Sequence, residues 1–344
     1  MKQTSLPAKR PSSEASPICA RPLGHGVRLG LCCQFADQPI RFRTTTATAL
    51  ARLARDEQLR RLAALCSENA QALLDALKYC DAHGIRSFRI LSQILPVKTH
   101  PVVGYSLTDL PGGDAIMDQF FDCGTFAREH DIRTGFHPDQ FVVLNSPDEG
   151  IVQRSIADIE SQAEIACWTH ADTVNIHGGG CYGDKQKALE RFRINLDRLS
   201  PRARERLTVE NDDRTFTPSD LLLLCRSEGV PLVYDVHHHR CCPDVLSVEE
   251  ATAAATSTWN REPLFHLSSP VAGWTGPKPE RHHDYIEAAD FPECWVGREI
   301  TVEVEAKAKE LAVAKLQSFL SGREAGQRDG PVKPAGAIAR GAEI

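Results

Sequence analysis

The 344-residue chain holds no apolar run near the roughly 18 residues that a membrane helix needs, which excludes that kind of span. Residues 1–26 carry Lys2, Lys9, Arg10 and Arg21 among Pro and Ser but no apolar stretch, so an export signal is not expected. No Gly-x-x-x-x-Gly-Lys-Ser/Thr occurs, and no nucleotide cofactor is expected. The 12 cysteines contain no Cys-x-x-Cys, and their close pairs are the neighbours Cys32-Cys33 and Cys241-Cys242. Without an export signal they read as reduced core thiols, not disulfides or a zinc knuckle, and the expected compartment is the cytoplasm. Positive charge is not in excess either. A net charge of -6 argues against coating nucleic acid by bulk electrostatics, while leaving room for a local basic groove.

What is present is a globular composition, 42% hydrophobic and 25% charged, with strand-like and helix-like segments in alternation from Val27 onward. Short apolar runs at Val27–Leu31, Phe88–Leu91, Arg133–Phe136, Thr173–Ile176, Leu207–Val209, Pro231–Tyr234, Phe265–Leu267 and Thr301–Glu305 predict eight strands. Between them, Leu62, Leu65, Leu73 and Leu77 form a helical stripe stopped by Gly84. Thr217-Pro218-Ser219-Asp220 carries a capping hydroxyl, a first-turn proline and an acid, and predicts another helix start. From Pro270 to Trp295 the pattern suggests a long loop in place of a helix. Eight alternating units imply a parallel sheet closed as a TIM (β/α)8-type barrel, an α/β single domain. The boundaries expected are a disordered tail over 1–26, a barrel over 27–320 and a second disordered tail over 321–344.

The ends of the strands share one chemistry. The third is followed by His137, the fourth by His177, the fifth by Glu210, and the sixth by Asp235 with His238, as the chain turns toward a loop. The seventh contains His266, the loop beyond it His282, and the eighth ends at Glu305. Any one of these reads first as a satisfied polar group. Together, five imidazoles and three carboxylates on the rim where barrel enzymes keep their active sites repel or desolvate one another unless cations sit among them. This donor set, with no cysteine, suits Zn²⁺, Mn²⁺ or Fe²⁺, and several ions at short separation are the arrangement used to hydrolyse phosphodiesters.

Five stretches carry a resemblance. His137-Pro138-Asp139-Gln140-Phe141-Val142, Ile176-His177-Gly178-Gly179 with Tyr182-Gly183-Asp184-Lys185, Val209-Glu210-Asn211-Asp212-Asp213, Asp235 to His238, and Val304-Glu305-Ala306-Lys307 resemble the motifs of the UV damage endonuclease family, in that order. The family is similar to endonuclease IV, a TIM-barrel enzyme with a three-metal site. The resemblance implies a DNA repair endonuclease that cuts immediately 5′ to ultraviolet photoproducts in double-stranded DNA, leaving 3′-hydroxyl and 5′-phosphate ends. It implies His137, His177, Glu210, Asp235, His238, His266, His282 and Glu305 as ligands of two or three divalent ions, Mn²⁺ or Zn²⁺. Of these, Glu210, Asp235, His238 and Glu305 would be catalytic. Gln140 and Phe141 would probe the duplex at the lesion, with His100 and Lys185 as further DNA contacts.

Glu280 falls where endonuclease IV has an Asp two residues before a ligand. Leu264 stands where the family often carries a carboxylated lysine. Cations for phosphate contacts are expected at Lys98, Lys185, Lys187, Arg240 and Lys278, in or just after rim loops. No membrane partner is expected, and a monomer is. Two other readings use the same residues: a sugar isomerase or epimerase on the same barrel, and a barrel whose ion is purely structural.

Overall fold

A computed structural model describes residues 26–328. Its strands are β1 (Val27–Cys32), β2 (Ser87–Ile90), β3 (Arg133–Phe136), β4 (Thr173–His177), β5 (Leu207–Glu210), β6 (Leu232–Asp235), β7 (Leu264–Leu267) and β8 (Ile300–Val304). They close into a barrel in sequence order, and each neighbouring pair, including β1 with β8, is parallel. The helices are α1 (Ala47–Leu50), α2 (Arg55–Ala82), α3 (Gly113–Glu129), α4 (Glu149–Thr169), α5 (Lys185–Leu196), α6 (Pro201–Arg206), α7 (Pro218–Glu228), α8 (Val236–Cys241), α9 (Val248–Thr256) and α10 (Glu310–Arg328). The expected barrel and its eight strands are present.

Local sequence explains the boundaries. In α2 the buried Leu62, Cys66, Leu73, Leu77 and Cys80 repeat at helical spacing, and Gly84 beyond it holds φ +66°, a left-handed conformation that costs glycine little. Thr217 and Asp220 form a reciprocal capping box around Pro218 at the start of α7. After β7 the chain runs from Pro270 to Trp295 with two 3₁₀ turns and no α-helix, as its prolines and glycines suggest. The expected N-terminal tail lies outside the described residues except for Gly26. At the other end α10 continues to Arg328, so residues 321–328 are helical where a tail was expected. Arg323-Glu324-Ala325 and Gln327-Arg328 are good helix formers, and they outweigh Gly322 and Gly326.

Period-two alternation sorts each strand into two faces. One face carries Leu31, Phe88, Phe136, Ile176, Val209, Tyr234, Phe265 and Val302, part of a continuous apolar core. The other face is mostly small or polar, with Val233 and Leu264 among its apolar members. A Cβ on Gly30 would come within 2.9 Å of Ser87 Cβ and 3.2 Å of Glu303 Cγ, so a larger residue there would collide with its neighbours on both flanking strands. This polar inner face ends at the C-terminal rim in the residues described next.

Candidate metal centre

Glu210 is fully buried and stands at the centre of the rim. Its Oε2 accepts a hydrogen bond from Asn175 Nδ2 at 2.6 Å and lies 2.9 Å from His137 Nε2. Its Oε1 lies 3.1 Å from His266 Nδ1 and 3.2 Å from His238 Nδ1. Parallel pairing sets His177 beside Glu210 and Asp235 beside His266, so the barrel itself brings these side chains together. Asn175 is held in turn by Thr208, whose hydroxyl donates to its Oδ1 at 3.0 Å. Both lie two residues before a candidate ligand and share its face, a signal that could have exposed them in the sequence.

Asp235 acts differently from what the sequence suggested. The chain does not turn into a loop there; α8 begins at once, with Asp235 as its N-cap. Asp235 Oδ1 accepts from the backbone N–H of His238 at 2.7 Å, so carboxylate and imidazole fall on the same side, with Nδ1 3.5 Å from Oδ2. Asn211 clamps the strand end, donating to the carbonyl of Asp235 at 2.9 Å and accepting from its N–H at 3.0 Å. His137 Nδ1 faces the Pro138 carbonyl at 3.0 Å, which places its proton there and turns the Nε2 lone pair toward the site.

Three sets could each hold an ion: His137, Glu210 and His266; His177, Glu210 and His238; Asp235, His266 and Glu305. Within each set the ligand atoms lie within 4.8 Å of one another. Metal–ligand bonds of about 2.0–2.2 Å allow two ligands of one ion to be up to ~4.4 Å apart, so small adjustments suffice. Glu210 Oε1, Asp235 Oδ2, His266 Nδ1 and His177 Nδ1 are buried without hydrogen bonds. Buried polar atoms without partners are rare, and here they converge. The residues therefore fit divalent ions.

Seven of the eight expected ligands fall into these sets. His282 stands at their edge, its Nδ1 3.8 Å from Glu305 Oε2. Glu280 does not join them; it lies 3.7 Å from the Arg214 guanidinium. The other histidines are tied to the protein: His239 Nδ1 lies 2.7 Å from the Tyr234 hydroxyl and its Nε2 3.0 Å from Asp244. His237 packs beside Trp274, and His283 Nδ1 accepts from Tyr285 N–H at 3.0 Å.

The floor of the site was not anticipated. Arg89, on β2, is buried and donates from Nε to Glu303 at 2.5 Å. Its NH1 pairs with Glu305 at 2.6 Å and its NH2 lies 2.9 Å from His266 Nε2. Leu264, buried at the lysine position of the resemblance, supplies only apolar surface. The signal for Glu303 was the alternation Glu303-x-Glu305 in one strand, and for Arg89 a lone cation in an otherwise buried four-residue strand.

The charges are strongly coupled. Burial favours a neutral Glu210, but the charge on His266 and the hydrogen-bonding imidazoles of His137 and His238 outweigh it and hold the carboxyl well below its usual range. Burial likewise opposes charge on His266, yet Glu210 and Glu305 raise it to about 10. A proton between these groups does what a metal cation would do. His177 moves the other way, lowered by burial, which keeps it neutral and able to donate a lone pair.

The DNA-contact candidates divide. Gln140 is exposed and shares a cleft of about 430 Å³ with His137, His177, Glu210, His238 and Glu305. Phe141 is 77% exposed, whereas Val142 and Val143 beside it are buried, so it is not a core residue. His100 is not at this cleft: its Nδ1 accepts from Val102 and Val103 N–H, capping its own turn, and it lines a separate depression with Lys98 and Asp158. Lys185 is engaged by Asp220 at 2.7 Å. Lys98, Lys187 and Arg240 are also paired, with Glu164, Asp184 and Asp290.

Comparisons with known proteins agree with this geometry. The model of the family UV-endonuclease UvdE matches residues 27–330. A UV DNA damage endonuclease of Bacillus velezensis is 32% identical over 292 residues, covering 81% of this chain and 88% of that protein. Another from Bacillus thuringiensis subsp. konkukian is 33% identical over 294 residues, covering 81% and 89%. Among solved structures, SacUVDE superposes with a TM-score of 0.78 at 26% identity, covering 87% of this chain and 99% of that one. Endonuclease IV from Thermus thermophilus (TM-score 0.56, 16% identity, 87% and 99% covered) shares the fold. So does a D-psicose 3-epimerase from Clostridium cellulolyticum (0.51, 13%, 87% and 98%). With the sequence matches spanning the barrel and every set of clustered ligands, the chain belongs to the UV-endonuclease UvdE family and is a DNA repair endonuclease, a hydrolase of phosphodiester bonds.

Proposed function

We propose that this endonuclease is metal-dependent and incises DNA immediately 5′ to ultraviolet photoproducts, leaving a 3′-hydroxyl and a 5′-phosphate. The observation that carries the reading is the convergence around Glu210 of ligand atoms from the ends of β3 to β8, four of them buried without a hydrogen bond. Bound divalent ions would supply an activated water and charge neutralisation at the phosphate. Mn²⁺ is the ion we favour, with Zn²⁺ matching the same imidazole-rich set, at two or three ions per chain. Glu210 and His266 each belong to two of the three sets, and each would help to hold the ions there. Asp235 and His238 are oriented together by the start of α8, and Glu305 is steered by Arg89.

Selectivity for damage would come from deformation. A dipyrimidine lesion stacks and pairs poorly, so it costs less to extrude than an intact step. Gln140, which lines the ligand cleft, and the exposed ring of Phe141 beside it would fill the gap. The free cysteines and the absence of a membrane-length apolar helix among the described residues accord with work in the cytoplasm.

The test is nicking of irradiated plasmid by the parent chain, with Mn²⁺, Zn²⁺ or EDTA, and by Glu210→Gln and Asp235→Asn. Nicking is expected to require metal and to disappear in both variants while their circular dichroism stays that of the parent. Incision that persists in EDTA, or in both variants, removes the metal-dependent reading. Ends sequenced 3′ to the lesion remove the polarity.

A further inference from the structure

A second cleft, of about 230 Å³, opens beside the metal centre between the loops that follow β1 and β8. Cys32 and Cys33 form one wall, Ala306, Lys307 and Lys309 the other, and Glu305 and His282 lie at the inner end. The walls are built, not incidental. Glu310, 1% exposed, accepts backbone N–H groups of Ala36 and Asp37, both at 2.7 Å, and so ties the first loop to the last. Cys33 N–H donates to the Arg89 carbonyl at 3.0 Å, and Lys307 N–H to that of His283 at 3.1 Å. Cys33 and Lys309 both hold left-handed backbones, at φ 61° and 52°, conformations that L-residues adopt at a cost and that recur at binding sites.

The cations here differ from those the sequence put forward. Lys98, Lys185, Lys187 and Arg240 are each paired with a carboxylate, and Lys278, which forms no ion pair among the described residues, does not line this cleft. Lys307 and Lys309 form no ion pair among the described residues, although they flank a site rich in acids. Arg89, the third cation lining the cleft, is consumed by Glu303 and Glu305. Two unneutralised ammonium groups on a rigid frame, opening onto the ligands themselves, suit a mobile anion supplied from outside. The thiols opposite are kept protonated, because burial raises Cys33 to about 11, so they offer no competing negative charge.

We propose that this cleft seats a DNA backbone phosphate neighbouring the scissile one, held by Lys307 and Lys309. The proposal rests on the reading of the site as a duplex-cutting centre and adds where the strand runs: past Glu305, between the β1 and β8 loops. It acts through binding, so the side chains touch neither the attacked phosphorus nor the ions.

The experiment uses the full chain, metal-loaded, and a duplex with one defined photoproduct. Equilibrium binding is measured on ice across a salt series for the parent, Lys307→Gln/Lys309→Gln, the charge-preserving Lys307→Arg/Lys309→Arg, and Lys78→Gln on the outer face of α2. For the Gln pair, the slope of log affinity against log salt is expected to become shallower by about 0.9, the contribution of one phosphate contact. The Arg pair and Lys78→Gln are expected to keep the parental slope, and elemental analysis to give parental metal content throughout. A parental slope in the Gln pair overturns the proposal, and so does an equal change in Lys78→Gln, which would mean a general charge effect. A parent chain that does not bind the damaged duplex at all overturns the nuclease reading and this seat with it; one that binds and nicks while the Gln pair keeps its slope overturns the seat alone.

Discussion

Arg89 offers the sharpest test of how this barrel tolerates so many ionisable groups. Its side chain is 10% exposed, and the guanidinium meets Glu303, 3% exposed, Glu305 and His266 at once. Burial disfavours its charge, but these carboxylates hold it protonated well above its usual range. Replacing it by Met keeps the length of the stem and removes the cation, leaving Glu303 buried beside other acids. Breaking one side of a buried ion pair costs about 3–5 kcal/mol. For the roughly 300 described residues, an unfolding entropy of about 0.6 kcal/mol per kelvin converts this into a fall in Tm of about 5–8 °C. Adding Glu303→Leu to Arg89→Met removes the orphaned charge and is expected to recover most of the loss, because a buried pair replaced by apolar groups is often neutral. Thermal melts of parent, single and double variants, with and without EDTA, measure this directly. A single variant within 0.5 kcal/mol of the parent (about 1 °C on the same scale), or a double variant melting no higher than the single, would refute the argument that Arg89 and Glu303 stabilise each other as a buried pair.

Two further outcomes follow from the geometry. Phe141→Ala, at an exposed position, should change stability by no more than about 0.5 kcal/mol yet weaken binding to a photoproduct duplex by about 1–3 kcal/mol, as for lost base stacking; an unchanged Kd by fluorescence anisotropy would remove its probing role. Asp244 opposes its burial with hydrogen bonds from Ser219 and Leu246 N–H and a contact with His239, and its carboxyl is lowered to about 2. Because the folded value is depressed, its stabilisation is present above the unfolded value of about 4 and is lost as pH falls through about 2. Urea unfolding between pH 5 and 2.5 should therefore show Asp244→Asn losing less stability than the parent, by up to roughly 2 kcal/mol; parallel curves would sink the assignment.

Much of this protein was legible because barrel strands write their function at their ends. His137, His177, Glu210, Asp235, His266 and Glu305 each stand at or next to the C-terminal end of a short apolar run, and a parallel closed sheet can only deliver such ends to one rim. His238 was legible as a residue but not as a geometry, since a strand that passes without a spacer into α8 depends on Asp235 capping the helix. Arg89 and Glu303 escaped because a charged residue in a strand reads as exposed until the barrel closes and turns it inward. Partnership escaped for the same reason. Lys185 and Lys307 look alike in sequence, and only the fold sets an acid, Asp220, against the first and, among the described residues, none against the second.

The sequence by itself determined the repeating strand and helix order, the side of the barrel that carries chemistry, and the donor types gathered there, because these are properties of local periodicity and residue identity. Tertiary structure decided which donors share an ion, which cations remain free, and what balances the charge beneath them. Those depend on distances between residues far apart in the chain, as with Arg89 and Glu303, and no local pattern encodes such distances.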